Sequence, residues 1–192
     1  MRLLSNVLPS EYEISEGKTI LFETDFRVWM HFENLMLDKD VPDSAKPILA
    51  KNMVFKKPLK NNVNDFLLWF YRCGKPPVNV EPDKTKSKAK STRAYSFEHD
   101  EELIYSAFMQ CYHIDLCETD MHWWKFRALF DGLSEDTKLH KVMGYRTIEI
   151  DKNMTPERAK HYRELKKIYR LPRALSEEQK IAEMKRALKN SN

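Results

Sequence analysis

Met121-His-Trp-Trp-Lys-Phe-Arg-Ala-Leu-Phe-Asp-Gly-Leu133 places apolar residues at 121, 124, 128 and 129, and again at 123, 126, 130 and 133. Steps of three, four and seven are those of an α-helix. The two sets together cover most of the circumference and leave Lys125, Arg127 and Asp131 as the polar remainder. A helix apolar nearly all round is one that other helices surround. Thr119 and Asp120 offer side-chain oxygens and negative charge where it should begin, and Gly132 weakens it where it should end. This stretch therefore predicts the central helix of a mainly all-α domain. Trp123, Trp124, Phe126 and Phe130 belong to the expected core, with Trp29 and Trp69 from other helices.

Upstream, Tyr12–Phe22 reads as two short β-prone runs around a turn at Gly17, a small N-terminal hairpin. Thr24-Asp25 caps a helix over 26–37, marked by Phe26, Trp29, Met30, Glu33 and Leu37. A second helix over 45–54 tolerates Pro47 in its first turn. Asn61 or Asn62 caps a third over 63–72, stopped by Gly74 and Pro76-Pro77. Residues 75–94 change character: five basic residues between Lys84 and Arg93 and almost no apolar content predict a flexible basic loop. A helix over 100–112 then precedes the central one. Downstream, Ser134–Thr137 opens a helix over 135–145, Thr147–Asp151 reads as extended, and Thr155-Pro-Glu-Arg starts a helix to about 170. Ser176-Glu-Glu-Gln179 is a capping box for a last amphipathic helix over 176–192, free to dock or to detach. The expectation is one domain of seven or eight helices with a small hairpin.

Composition bounds the function. The chain has 192 residues, 42% of them hydrophobic, enough for a sizeable core. No apolar run reaches the ~20 residues of a membrane-spanning helix, and the first residues lack a secretory pattern. Three cysteines read as reduced thiols, so the expected location is the cytosol. Net charge is only +4. Cys111, His113, Cys117 and His122 invite a zinc reading, but their spacing matches no common finger, ribbon or knuckle. Asp115, Glu118 and Asp120 beside those histidines fit a solvated loop and a helix start better than an acid–base group. With four glycines and no nucleophile or phosphate-cradling motif, no catalytic residue, metal or cofactor is expected.

Two surfaces stand out. Ile181, Met184 and Leu188 form an apolar side on the last helix, a candidate partner-binding stripe. Lys84, Lys86, Lys88, Lys90 and Arg93 could touch phosphates, an alternative nucleic-acid reading that lacks aromatics for base stacking.

The string His122-Trp-Trp-Lys-Phe-Arg-Ala-Leu-Phe-Asp-Gly-Leu133, with Thr137 and Met143-Gly-Tyr-Arg146, resembles a small tail-morphogenesis family of tailed phages and prophages of Gram-positive bacteria. Thr24-Asp25-Phe26-Arg27 with Trp29, Leu68–Gly74, Tyr95-Ser-Phe-Glu98 and Tyr105-Ser-Ala-Phe108 extend the resemblance over nearly the whole chain. It implies a tail assembly chaperone of the siphovirus type, binding the tape-measure and tail-tube proteins and able to self-associate. Such a protein works in the host cytoplasm and is absent from the finished virion. The alternatives are the nucleic-acid-associated protein above and a structural tail or head–tail component.

Overall fold

The computed structural model describes residues 3–4, 7–75 and 93–172. The expected basic run at 84–90 and the last helix with Ile181, Met184 and Leu188 therefore lie outside the described residues. Strands β1 (Glu11–Ser15) and β2 (Lys18–Leu21) pair antiparallel, Tyr12 opposite Ile20, around Gly17 at φ +71°. Seven helices follow among the described residues: α1 (Phe26–Leu37), α2 (Lys46–Val54), α3 (Asn64–Tyr71), α4 (Glu101–Tyr112), α5 (Trp123–Asp131), α6 (Lys138–Thr147) and α7 (Pro156–Ile168). The mainly helical domain with a small hairpin is what the periodicity predicts. Two-stranded hairpins are marginal alone, and this one leans on the body through Tyr12, whose ring lies 4.5 Å from Phe66.

The centre is the ring of Phe126 on α5. It stacks on Phe26 of α1 at 4.7 Å and on Phe108 of α4 at 5.1 Å, with interplanar angles of 11° and 6°. Trp29, Trp123, Trp124 and Phe130 are buried around it. Trp69 departs from the expectation for a core residue: it keeps 37% of its surface exposed. It stands at the rim, edge-on to Trp124 at 5.5 Å.

Two helix starts differ from the sequence reading, each for a local reason. Helix α5 begins at Trp123, and neither Thr119 nor Asp120 caps it. Thr119 closes a turn onto the Asp115 carbonyl (3.0 Å), while its own carbonyl accepts from Arg27 (3.0 Å). His122 is extended and the helix waits until Trp123 because this segment pairs with the start of α1: Phe26 N–H donates to the Met121 carbonyl (2.9 Å) and Trp123 N–H to the Thr24 carbonyl (2.7 Å). The cap is the His122 ring, whose Nδ1 accepts the Trp124 N–H at 3.1 Å. Helix α6 starts three residues later than expected. Thr137 donates both its N–H (3.1 Å) and its hydroxyl (2.8 Å) to the Ser134 carbonyl, forming a turn. Its oxygen then accepts the His140 N–H as the true cap. For α3 neither Asn61 nor Asn62 is the cap: that position is Val63, which makes no side-chain cap, while Asn62 accepts the Asn64 N–H at 3.0 Å from one residue further back and Asn61 donates to the Ile14 carbonyl.

A buried ion pair ties the second half together. Arg146 of α6 donates to both carboxylate oxygens of Asp100 at 2.6 and 2.8 Å, with side-chain exposures of 7% and 2%. The same guanidinium donates to the Ala94 carbonyl (3.0 Å) and to the Tyr169 carbonyl just past α7 (2.6 Å). Asp100 also accepts the Ser96 N–H at 2.8 Å. Breaking one partner of such a pair strands an uncompensated charge. Asp100→Ala should lower the unfolding free energy by about 3–5 kcal/mol in urea titrations. The double change Asp100→Leu with Arg146→Met should recover only part of that loss, because the Ala94 and Tyr169 carbonyls and the Ser96 amide still lose their partner.

Candidate partner-binding groove

Helices α1, α2 and α3 leave a groove of about 670 Å³ between them, bounded on its fourth side by Arg93 and Tyr95. Its walls are apolar. Phe32, Met36 and Leu37 come from α1, Pro47 and Ala50 from α2, and Leu67 and Leu68 from α3. These positions arise from the helical repeats themselves: 32 and 36, like 67 and 68 with 71, fall on the sides that α1 and α3 turn towards each other. Leu37 and Leu68 form the lips, 49% and 51% exposed. Next to them Ile48 and Leu49 of α2 are also exposed.

The floor is polar and closed on itself. Glu33 is 6% exposed. Its Oε2 accepts from the hydroxyls of Tyr71 (2.6 Å) and Tyr95 (3.4 Å), and its Oε1 accepts from Arg93 (3.2 Å). The Tyr95 hydroxyl in turn accepts from Arg127 at 3.0 Å, and Arg127 pairs with Asp131 at 3.0 Å. Burial first, and then the Glu33 carboxylate, push the pKa of both phenols above the ordinary tyrosine range. Both therefore stay protonated donors at any physiological pH.

The cysteine nearest the groove, Cys73, has its thiol pushed up to about 11, mainly by burial. It is thus a protonated thiol near neutral pH, a poor nucleophile. Among the described residues no group of three or more His, Cys, Asp or Glu side chains is placed to hold a metal ion. Cys111 is half-buried, Cys117 is exposed, and His122 is engaged as a helix cap. No helix among the described residues is long and apolar enough to cross a membrane.

The family model for the bacteriophage Gp15 protein matches residues 4–171, most of the chain. The chain belongs to the bacteriophage Gp15 protein family. No curated protein and no solved structure matches it. The matched residues include the walls of the groove, its floor and the α1–α5 junction.

Of the residues singled out for the nucleic-acid alternative, only Arg93 is described, and it turns inward to Glu33 with its side chain 37% exposed. The groove and its floor were not among the predicted sites. Glu33 gave the one available signal: a charged residue in register with Phe26 and Trp29 on the buried side of α1.

His122 makes this region sensitive to acid. Its Nδ1 accepts the Trp124 N–H, so Nε2 carries the proton and donates to the Pro9 carbonyl at 3.1 Å. That is the neutral tautomer; a second proton would remove the acceptor that caps α5. Burial, helped by Lys125 and opposed by the Pro9 bond, lowers its pKa below the ordinary 6.5. A lowered folded-state value means the contribution is present above about pH 6.5 and is lost as pH falls through the folded pKa. Denaturant titrations should show stability declining as the pH is lowered below about 6.5. His122→Asn, which still offers a capping oxygen but does not titrate, should flatten that decline.

Proposed function

We propose that this phage protein is a tail assembly chaperone that acts without catalysis, holding the tape-measure protein, the tail-tube protein or both during tail morphogenesis. It would work in the host cytoplasm, self-associate along its client, and leave before the virion is complete. The observation that carries the reading is the apolar groove between α1, α2 and α3, open to solvent and lipped by Leu37 and Leu68. Membership of a phage family supports the biological setting. A groove of this kind suits an amphipathic helix, which lays its apolar side chains at successive turns into the cleft. Tape-measure proteins are long and helical, so they present many such faces to many copies of one chaperone. The polar floor satisfies itself internally, so a client covers apolar walls without having to replace buried hydrogen bonds.

Co-expression with the tape-measure protein of the same phage tests this. The chain should keep the tape measure soluble and co-elute with it as a many-copy complex on sizing. Leu68→Asp puts a charge on an exposed lip and should reduce recovered complex tenfold or more. The same change should alter the unfolding free energy of the chaperone by less than about 0.5 kcal/mol. A tape measure that precipitates while the unaltered chain elutes alone would sink the proposal.

A further inference from the structure

We propose that the outer flank of α7 is a nucleic-acid-binding surface that grips phosphates without reading sequence. It uses residues other than the basic run at 84–93 and is independent of the groove and of the chaperone reading.

The positive charge of this chain is gathered in one place. Residues 152–170 hold seven Lys and Arg against two Glu, a surplus of +5. The whole chain carries +4, so everything else sums to −1. Such a split is the electrostatic footprint of a polyanion partner, which a small net charge hides.

Helix α7 sets these bases in a line. Ala159 is its buried residue, and Tyr162, Lys166 and Tyr169 are half-buried on the same side, where Tyr169 stacks on Tyr145 of α6 at 5.6 Å. Lys160, Arg163 and Lys167, with Arg170 just past the helix end, each follow one of those four by a single residue. They therefore form a parallel line about 100° further round, roughly 15 Å long at 1.5 Å per residue. All four are exposed.

Among the described residues no carboxylate pairs with any of the four. Arg27, Arg93, Arg127 and Arg146, by contrast, are each held by an acidic side chain of the body. The helix dipole favours bases in a last turn, which accounts for Lys166 and Lys167 but not for Lys160 and Arg163. Like charges three and four residues apart also weaken a helix. The line is thus unfavourable to the fold by itself, and a partner with repeated negative charge relieves it.

The surroundings of the line favour nucleic acid over an acidic protein. Protein interfaces place apolar side chains at their centre and thin out charge there. Ile168, 70% exposed, is the one large apolar side chain that α7 leaves open. Interfaces with nucleic acid are polar and strongly positive, as this flank is. The tyrosines of α7 are already engaged, Tyr162 under the Arg158 guanidinium at 5.8 Å and Tyr169 against Tyr145. Contact is therefore to phosphates, which position a protein but carry no sequence information.

Fluorescence anisotropy of the full chain with a short labelled duplex of mixed sequence tests this. Affinity should fall between about 50 and about 200 mM salt with a log–log slope of about −3 to −4, as four phosphate contacts require. A duplex of unrelated sequence should bind equally well. Replacing Lys160, Arg163, Lys167 and Arg170 together by Gln should cut affinity at least about tenfold at the lower salt and flatten the slope towards zero. Thermal unfolding of that variant should match the unaltered chain, since all four positions are exposed. Arg163→Lys with Arg170→Lys, which keeps the charge, should bind as the unaltered chain does. Binding untouched by the four Gln replacements, or lost only when Lys84, Lys86, Lys88 and Lys90 are changed, would overturn the proposal. So would failure to bind at low salt. Poly-glutamate binding as tightly as the duplex at the same salt would overturn it too, by making the flank a dock for an acidic protein.

Discussion

The two indoles of the Trp123-Trp124 pair hold the molecule at one point on which both halves depend. Trp123 donates to the Tyr71 carbonyl and Trp124 to the Phe70 carbonyl, both at 2.8 Å. A helix ends with carbonyls that lack partners within it. Here the last turn of α3 is satisfied by side chains from the start of α5, which lies fifty residues away in the chain. The geometry leaves no slack. Cys73 and Gly74 both take left-handed backbone (φ 57° and 71°), turning the chain away sharply, and a Cβ on Gly74 would come within 3.0 Å of the Trp124 ring. Since Tyr71 supplies one of those carbonyls and also donates to Glu33, the same residue fastens the groove floor to the aromatic core.

The start of α5 is fixed from its other side by α1. The reciprocal main-chain bonds between residues 24–26 and 121–123 place two helix N-termini side by side. Like ends of two helix dipoles repel, and the arrangement answers that with local acceptors. Asp25 accepts the Arg27 N–H at 2.9 Å, His122 accepts the Trp124 N–H, and Arg27 fans out to Asp25 and to the carbonyls of Leu116 and Thr119. Each cap is neutral or acidic where the dipole wants it so. The walls of the groove inherit this rigidity, because α1 is pinned at its N-terminus and α3 at its C-terminus, leaving the opposite ends of each to line the opening.

How much of this could be read in advance follows the range of the forces involved. Helices α1, α2, α3 and α4 lie within about a residue or two of their predicted bounds, because periodicity and stop residues are local. Thr155-Pro156 likewise starts α7 where expected. The misplaced starts of α5 and α6 were decided by partners elsewhere in space: a pairing with residues 24–26 in one case, and in the other a turn onto Ser134 that resembles a cap in sequence. Trp69 was expected in the core because tryptophans usually are; its neighbour Phe70 took the buried side of α3 and left the indole at the rim. The groove was invisible for a more basic reason. A cleft is a property of three helices packed together, and no single stretch encodes it.

Glu33 shows why such a cleft persists instead of collapsing. A carboxylate at this depth is costly unless it is bonded on every side. The Tyr71 and Tyr95 hydroxyls and Arg93 meet that need, with Arg127 beyond them. Each of those donors needs its reach kept clear, so α1 and α3 are held apart by a polar network rather than drawn together by apolar contact. The walls above the network keep Leu37 and Leu68 exposed as a result. A wholly apolar floor would let the helices close and would hide those side chains. The buried charge thus acts as a spacer, and an open apolar surface, which most folded domains avoid, is the physical consequence.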